Sequence, residues 1–151
     1  MGRGARLVAD EEGSGARRMK WLNRTLVTSP FCYGLCTSEK DFHRELKRLR
    51  IKPTHWPHFL GTSENSGADA TTHHFEESNG NEACIIVCIG NTKGRTREQI
   101  NAMLAHEAVH IWQAIREDLG EDRPSHEFEA YAIQQISHNL MIAYTDHKKR
   151  G

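Results

Sequence analysis

No stretch of this 151-residue chain approaches the ~20 apolar residues of a membrane-spanning helix. The N-terminus, Met1-Gly-Arg-Gly-Ala-Arg, carries charge but no apolar segment behind it, so no secretory signal is expected and the reading is of a cytoplasmic protein. Net charge is missing as well: 20 Lys and Arg cancel 20 Asp and Glu, leaving no global field to favour nucleic acid or an anionic membrane. Cysteine is scarce. Cys32, Cys36, Cys84 and Cys88 are spaced CxxxC, not the CxxC of a zinc knuckle or a redox motif. They are expected to be reduced, small, buried apolar residues, with a structural zinc on all four as the alternative. There is no internal repeat, and the length suits one domain over residues 19–151. Residues 1–18, rich in Gly, Arg and acids without apolar periodicity, are expected to form a disordered leader.

Histidine is what the chain has in excess, ten residues of the commonest metal-ligand type. Thr25 to Val27 suggests a short strand. Thr37 or Ser38 offers an N-cap for a helix to about Arg50, with Phe42, Leu46 and Leu49 on one side. Pro53 and Pro57 break the chain beyond that helix. Ala70 to Glu76 and the apolar run Cys84 to Ile89 read as strands, the second covered on both faces. Gly61 to Gly67 and Ser78 to Asn81 read as turns. Thr96 and Gln99 have the form of a capping box opening a helix to Leu119, with Gly120 just beyond its end. Pro124-Ser125 begins a last helix running to about Asp146. Helix, small sheet, helix, helix makes an α+β domain.

The first long helix contains His106-Glu107-Ala108-Val109-His110, an HExxH sequence. Residues four apart on a helix lie one turn above each other, so two imidazoles can share one cation while Glu107 stands beside them to take a proton from a metal-bound water. Ile100, Leu104, Ala108, Ile111, Ile115 and Leu119 fall in one apolar stripe, and the two histidines project off it. A catalytic zinc usually has three protein ligands and one open position. On the last helix the apolar stripe is Phe128, Ala132, Ile136, Leu140 and Ala143, with Ile133 at its edge; Glu129 falls inside it and Glu127 nearly opposite. A carboxylate on a buried face is costly unless paired or metal-bound, which makes Glu129 the expected third ligand and a buried salt bridge its ordinary alternative. Glu127 reads as a solvated first-turn acid, and His126 as a weaker substitute ligand.

With His106-Glu107-x-x-His110 on one helix and Glu129-Ala130 on the next, residues 70–146 resemble the gluzincin branch of zinc metallopeptidases, most closely the short minigluzincins and related compact domains of bacteria and phages. The resemblance implies a zincin-like domain: a small twisted sheet over the active-site helix, followed by a glutamate helix. It also implies zinc on His106, His110 and Glu129, with Glu107 catalytic and a peptide or protein as substrate. An outer strand, here Thr71 to Glu76, would bind substrate backbone. The Gly and His that come after the motif in metzincins are lacking, and Ile133 stands where thermolysin-like enzymes often carry an acid supporting a metal-bound histidine. That leaves the transition-state donor open among Tyr131, His138 and Tyr144. Trp112 and Gln113 read as packing and surface positions. Zinc would lower the pKa of its water toward ~7 and polarise the scissile carbonyl, while Glu107 moves the proton to the leaving amine.

Three rival readings stand beside this one. A catalytically silent zincin-fold binding or scaffold module would have no need of Glu107. A SprT-like DNA-associated protease would carry a zinc ribbon or a long basic extension, which this chain lacks. A small peptidase that cuts phage or mobile-element repressors fits the size.

Overall fold

Apolar patterning of two periods, alternate residues in strands and every third or fourth in helices, builds three layers. The computed structural model describes residues 19, 21–22, 31–61 and 68–149. The expected leader over 1–18, the strand expected at Thr25–Val27 and residues 62–67 of the expected turn lie outside the described residues. The elements are β1 (Trp21–Leu22), β2 (Cys32–Cys36), α1 (Glu39–Arg48), a 3-10 turn (Pro53–His55), β3 (Ala70–Phe75), β4 (Cys84–Ile89), α2 (Arg97–Asp118) and α3 (His126–Lys149). The class is α+β, as expected. No described helix is long and apolar enough to cross a membrane.

The sheet has the order β1-β2-β4-β3. β2 and β4 are parallel, with Cys32 opposite Cys84 and Cys36 opposite Cys88. β3 runs antiparallel to β4 along an outer edge, and β1 antiparallel to β2 along the other. The expected order of elements is corrected here, because β2 precedes α1 and occupies the middle of the sheet. Cys-Tyr-Gly-Leu-Cys has little β-branched content, and a strand buried on both faces shows no alternation by which to find it.

On one face, Tyr33, Leu35, Ile85, Val87 and Ile89 pack against Ile100, Leu104, Ala108, Ile111 and Ile115 of α2 and Ala132, Ile136 and Leu140 of α3. On the other, Cys36, Cys84, Ile86 and Cys88 pack against Phe42, Leu46 and Leu49 from α1 and its C-cap. β4 is therefore covered on both sides, as its unbroken apolar run suggested. The four cysteines are free thiols. Burial pushes Cys84 up to about 11 and raises Cys36 and Cys88 further still, so these three are neutral thiols packed as small apolar groups.

Local chemistry fixes the helix ends. Ser38 caps α1 by accepting from the Asp41 N–H at 3.2 Å. Thr96 and Gln99 form both halves of the capping box on α2, and Gly120 takes the left-handed conformation (φ 66°) just beyond its C-cap. Two stripe positions are corrected: Leu119, the C-cap of α2, and Phe128, in the first turn of α3, are 37% and 41% exposed, because the last and first turns have fewer neighbours to pack on. α3 continues three residues beyond the expected Asp146, to Lys149.

The hairpin is antiparallel. Trp112 near the end of α2 meets Phe128 near the start of α3, with ring centroids 5.5 Å apart. Ile100 and Asn101 share a cavity with Tyr144 and Thr145 at the opposite end. One end of the hairpin therefore has an acidic excess, with Glu117, Asp118, Glu121, Asp122 and Glu127 against Arg116 and Arg123, and the other a basic excess, with Lys93, Arg95, Arg97, Lys148 and Lys149 against Glu98 and Asp146.

Candidate metal centre

The phase of α2 decides what each motif residue meets. With Leu104, Ala108 and Ile111 turned into the core, His106 and His110 are exposed, while Glu107 is only 4% exposed. The Nε2 atoms of His106 and His110 are 3.1 Å apart, the rings edge-to-face at 77°. Nδ1 of His110 lies 3.1 Å from Oε1 of Gln113. A carbonyl oxygen only accepts, so His110 carries its proton on Nδ1 and turns the Nε2 lone pair toward His106. This is the tautomer in which a ligating histidine is normally held by an outer partner. Two nitrogens bound to one tetrahedral zinc at ~2.0–2.1 Å are roughly 3.3 Å apart. The histidine pair thus fits two positions of such a site.

Glu107 lies beside the two histidines, turned into the seam between α2 and the sheet edge. Thr72 donates through Oγ1 to Glu107 Oε2 at 2.6 Å. Alternation along β3 sends Ala70, Thr72 and His74 toward α2. His73 goes to the opposite face, where it stacks on Phe42 at 4.9 Å and donates through Nε2 to the Phe59 carbonyl at 3.2 Å. Burial holds the His73 pKa below the ordinary 6.5, against the opposing pull of the Phe59 bond and the Glu107 charge.

Two hollows flank the motif. One, of about 350 Å³, is lined by Ala70, Thr72, His74, His106, Glu107 and His110 among others. The second, of about 410 Å³, includes Asp69, Ala70, Met103, His106 and Glu107. They share Ala70, His106 and Glu107, so the histidine–glutamate group stands midway along a trough between β3 and α2. Comparison with protein-family models, with curated proteins and with solved structures returns no match to this chain.

The structure does not bring Glu129 to the histidines. Trp112 donates through Nε1 to Glu129 Oε1 at 2.8 Å, and the Arg116 guanidinium lies 3.9 Å from the same oxygen. The Glu129 side chain is 36% exposed, so the cost of burial that singled it out is smaller than the wheel implied. Among the described residues no group of three or more His, Cys, Asp or Glu side chains is arranged to hold a metal ion. Glu127 and His126 are exposed.

None of the three donors suggested by sequence lines the trough. Tyr131 is 65% exposed, His138 is exposed on α3, and the Tyr144 hydroxyl is bonded to Thr92 at 2.6 Å. Sequence reasoning missed three residues that the fold brings in: Thr72, His74 and Gln113. The parity of β3 groups Thr72 with His74, and Gln113 stands three residues after His110, within helical reach. Nothing in the sequence said which face of β3 would meet α2.

Proposed function

We propose that this chain is a zinc-dependent hydrolase of peptide bonds, built on a zincin-like arrangement of sheet, metal-bearing helix and glutamate helix. The observation that carries the reading is Glu107. It is a buried carboxylate held by Thr72, beside two histidines whose ring nitrogens already converge, and its place on α2 keeps it from being a third ligand on their face.

In this reading His106, His110 and Glu129 would hold the ion, with Trp112 as the outer hydrogen-bond partner of the Glu129 carboxylate. When bound, zinc would supply Lewis acidity for activating a water and polarising a carbonyl. Glu107 would be the general base and acid, taking a proton from water and passing it to the leaving amine. Thr72 fixes the carboxylate through Oε2. The outward edge of β3, unpaired among the described strands, offers backbone groups to an extended peptide. His74 takes the oxyanion-donor role, since it lines the same hollow as the histidine pair.

The rival reading, a metal-holding module without catalysis, uses the same histidine pair and differs in leaving Glu107 idle. Metal analysis combined with a broad peptide-library digest separates the two. Wild type is expected to bind one zinc and to cleave in a chelator-sensitive way. Glu107→Gln should keep metal and fold and lose ~10²–10⁴-fold or more in rate. Equal cleavage by the two proteins would discard the mechanism, and full zinc without cleavage by either would favour the binding module.

A further inference from the structure

At the basic end of the α2–α3 hairpin, away from the histidine pair, lies a cavity of about 400 Å³. Three cationic side chains from separate parts of the fold line it: Arg95 from the loop before α2, Arg97 from the first turn of α2, and Lys148 from the end of α3. Arg95 is ion-paired with Asp69. No carboxylate lines the cavity beside these three cations. Glu98, the neighbouring acid on α2, is turned to the Thr96 hydroxyl and does not line the cavity.

The remaining wall is built differently. Ile100 is 8% exposed and supplies an apolar floor. The Tyr144 ring is fixed by the hydrogen bond of its hydroxyl to Thr92, 2.6 Å long, and the Lys148 ammonium sits 5.7 Å from its centroid. Asn101 adds a neutral amide donor. A volume in the range of small-molecule sites, an apolar wall with a held ring, and a cationic side without a lining carboxylate together describe a complementary ligand. It has a dianionic head and a compact ring or apolar body. Arginine suits phosphate through its planar fork of donors, and a phosphate monoester carries ≈ −1.5 to −2 charge near neutral pH.

We infer that this cavity is a binding site for a small phosphate monoester, with Arg97, Lys148 and Asn101 on the phosphate and Tyr144 and Ile100 against the organic body. The site needs no metal and is independent of the hydrolase reading. An extended nucleic-acid backbone would use the phosphate-binding cations but not the apolar wall of Ile100 and Tyr144, which is why the small ligand is the better match.

The test titrates the full chain with phenyl phosphate, phenyl sulfate, inorganic phosphate and a ten-nucleotide single-stranded DNA at low salt. Calorimetry and backbone amide shifts are the readouts. Phenyl phosphate is expected to saturate, to shift the amides of Asn101 and Tyr144, and to bind at least tenfold more tightly than the monoanionic sulfate or the bare phosphate. Arg97→Gln and Lys148→Gln should each weaken it about tenfold, with thermal unfolding unchanged because both side chains are exposed. Absence of saturation, or affinity indifferent to both substitutions, would overturn the assignment. So would tighter binding of the oligonucleotide with a steep salt dependence, which would identify the basic end as a nucleic-acid surface instead.

Discussion

A carboxylate that is 4% exposed relies on protein for its hydrogen bonds, and Glu107 receives a short one from Thr72. A hydrogen bond to a charged group is worth about 1.5–3 kcal/mol. If Glu107 moves protons in the proposed reaction, Thr72→Val should lower kcat roughly tenfold or more with little change in KM. Thr72→Ser, which keeps the hydroxyl, should restore most of it. Loss of KM alone, or failure of the serine to rescue, would mean that Thr72 merely packs. A second residue-level expectation concerns His73 on the opposite face of β3. Burial lowers its pKa from 6.5, so the unfolded chain binds the proton more readily than the folded one. Stability from this residue is complete above about 6.5 and is lost as pH falls from there toward the depressed folded value. The urea midpoint should therefore drop between pH 7.5 and pH 5 by more in wild type than in His73→Gln, and equal slopes would refute it. The histidine pair was legible in the sequence because both its members lie on one helix, where spacing alone fixes relative direction. Thr72 was not, since its partner is 35 positions away and only tertiary packing joins them.

The elements themselves were read well where a period or a cap was present. β4, the capping box of α2 and the cap of α1 all stand where the pattern put them. β2 escaped because a strand covered on both faces leaves no alternating signature, and the ends of α2 and α3 departed from their stripes because a helix wheel does not know where the neighbours run out. The same limit applies to Glu129. The wheel correctly turns it toward α2, but one helix cannot state which residues of another it will meet, and here they are Trp112 and Arg116. This gives an element-level test of the third ligand. Glu129→Ala should sharply weaken zinc binding while Glu127→Ala leaves it unchanged. Trp112→Phe keeps an aromatic ring against Phe128 and removes only the N–H donor; it should cost about 10–100-fold in zinc affinity, as the loss of an outer partner does. Unchanged affinity in Glu129→Ala would place the third ligand elsewhere and leave Glu129 as half of an interhelical contact.

At the scale of the whole molecule, the sheet divides two apolar layers of different character. The α1 side is a small cluster of thiols and aromatic rings, and the α2–α3 side is a larger aliphatic core that holds the motif helix in phase. The antiparallel hairpin on that side also separates charge along its length, acidic where Glu117 and Asp118 face the start of α3, basic where Arg95 and Arg97 meet Lys148. A helix of 22 residues is about 33 Å long, several times the Debye length of ~8 Å at physiological salt. At that salt concentration each end is screened from the other, and the opposite charges at the two ends give the molecule a dipole moment at zero net charge. Near its isoelectric point of about 7.2 and at low ionic strength, it should be retained by both cation and anion exchangers. Arg97→Glu with Lys148→Glu should release it from the first and not the second; passage of wild type through both columns would contradict the separation. At any charged interface such a molecule presents one end before it makes contact, so a surface of either sign would select its orientation without selecting its net charge.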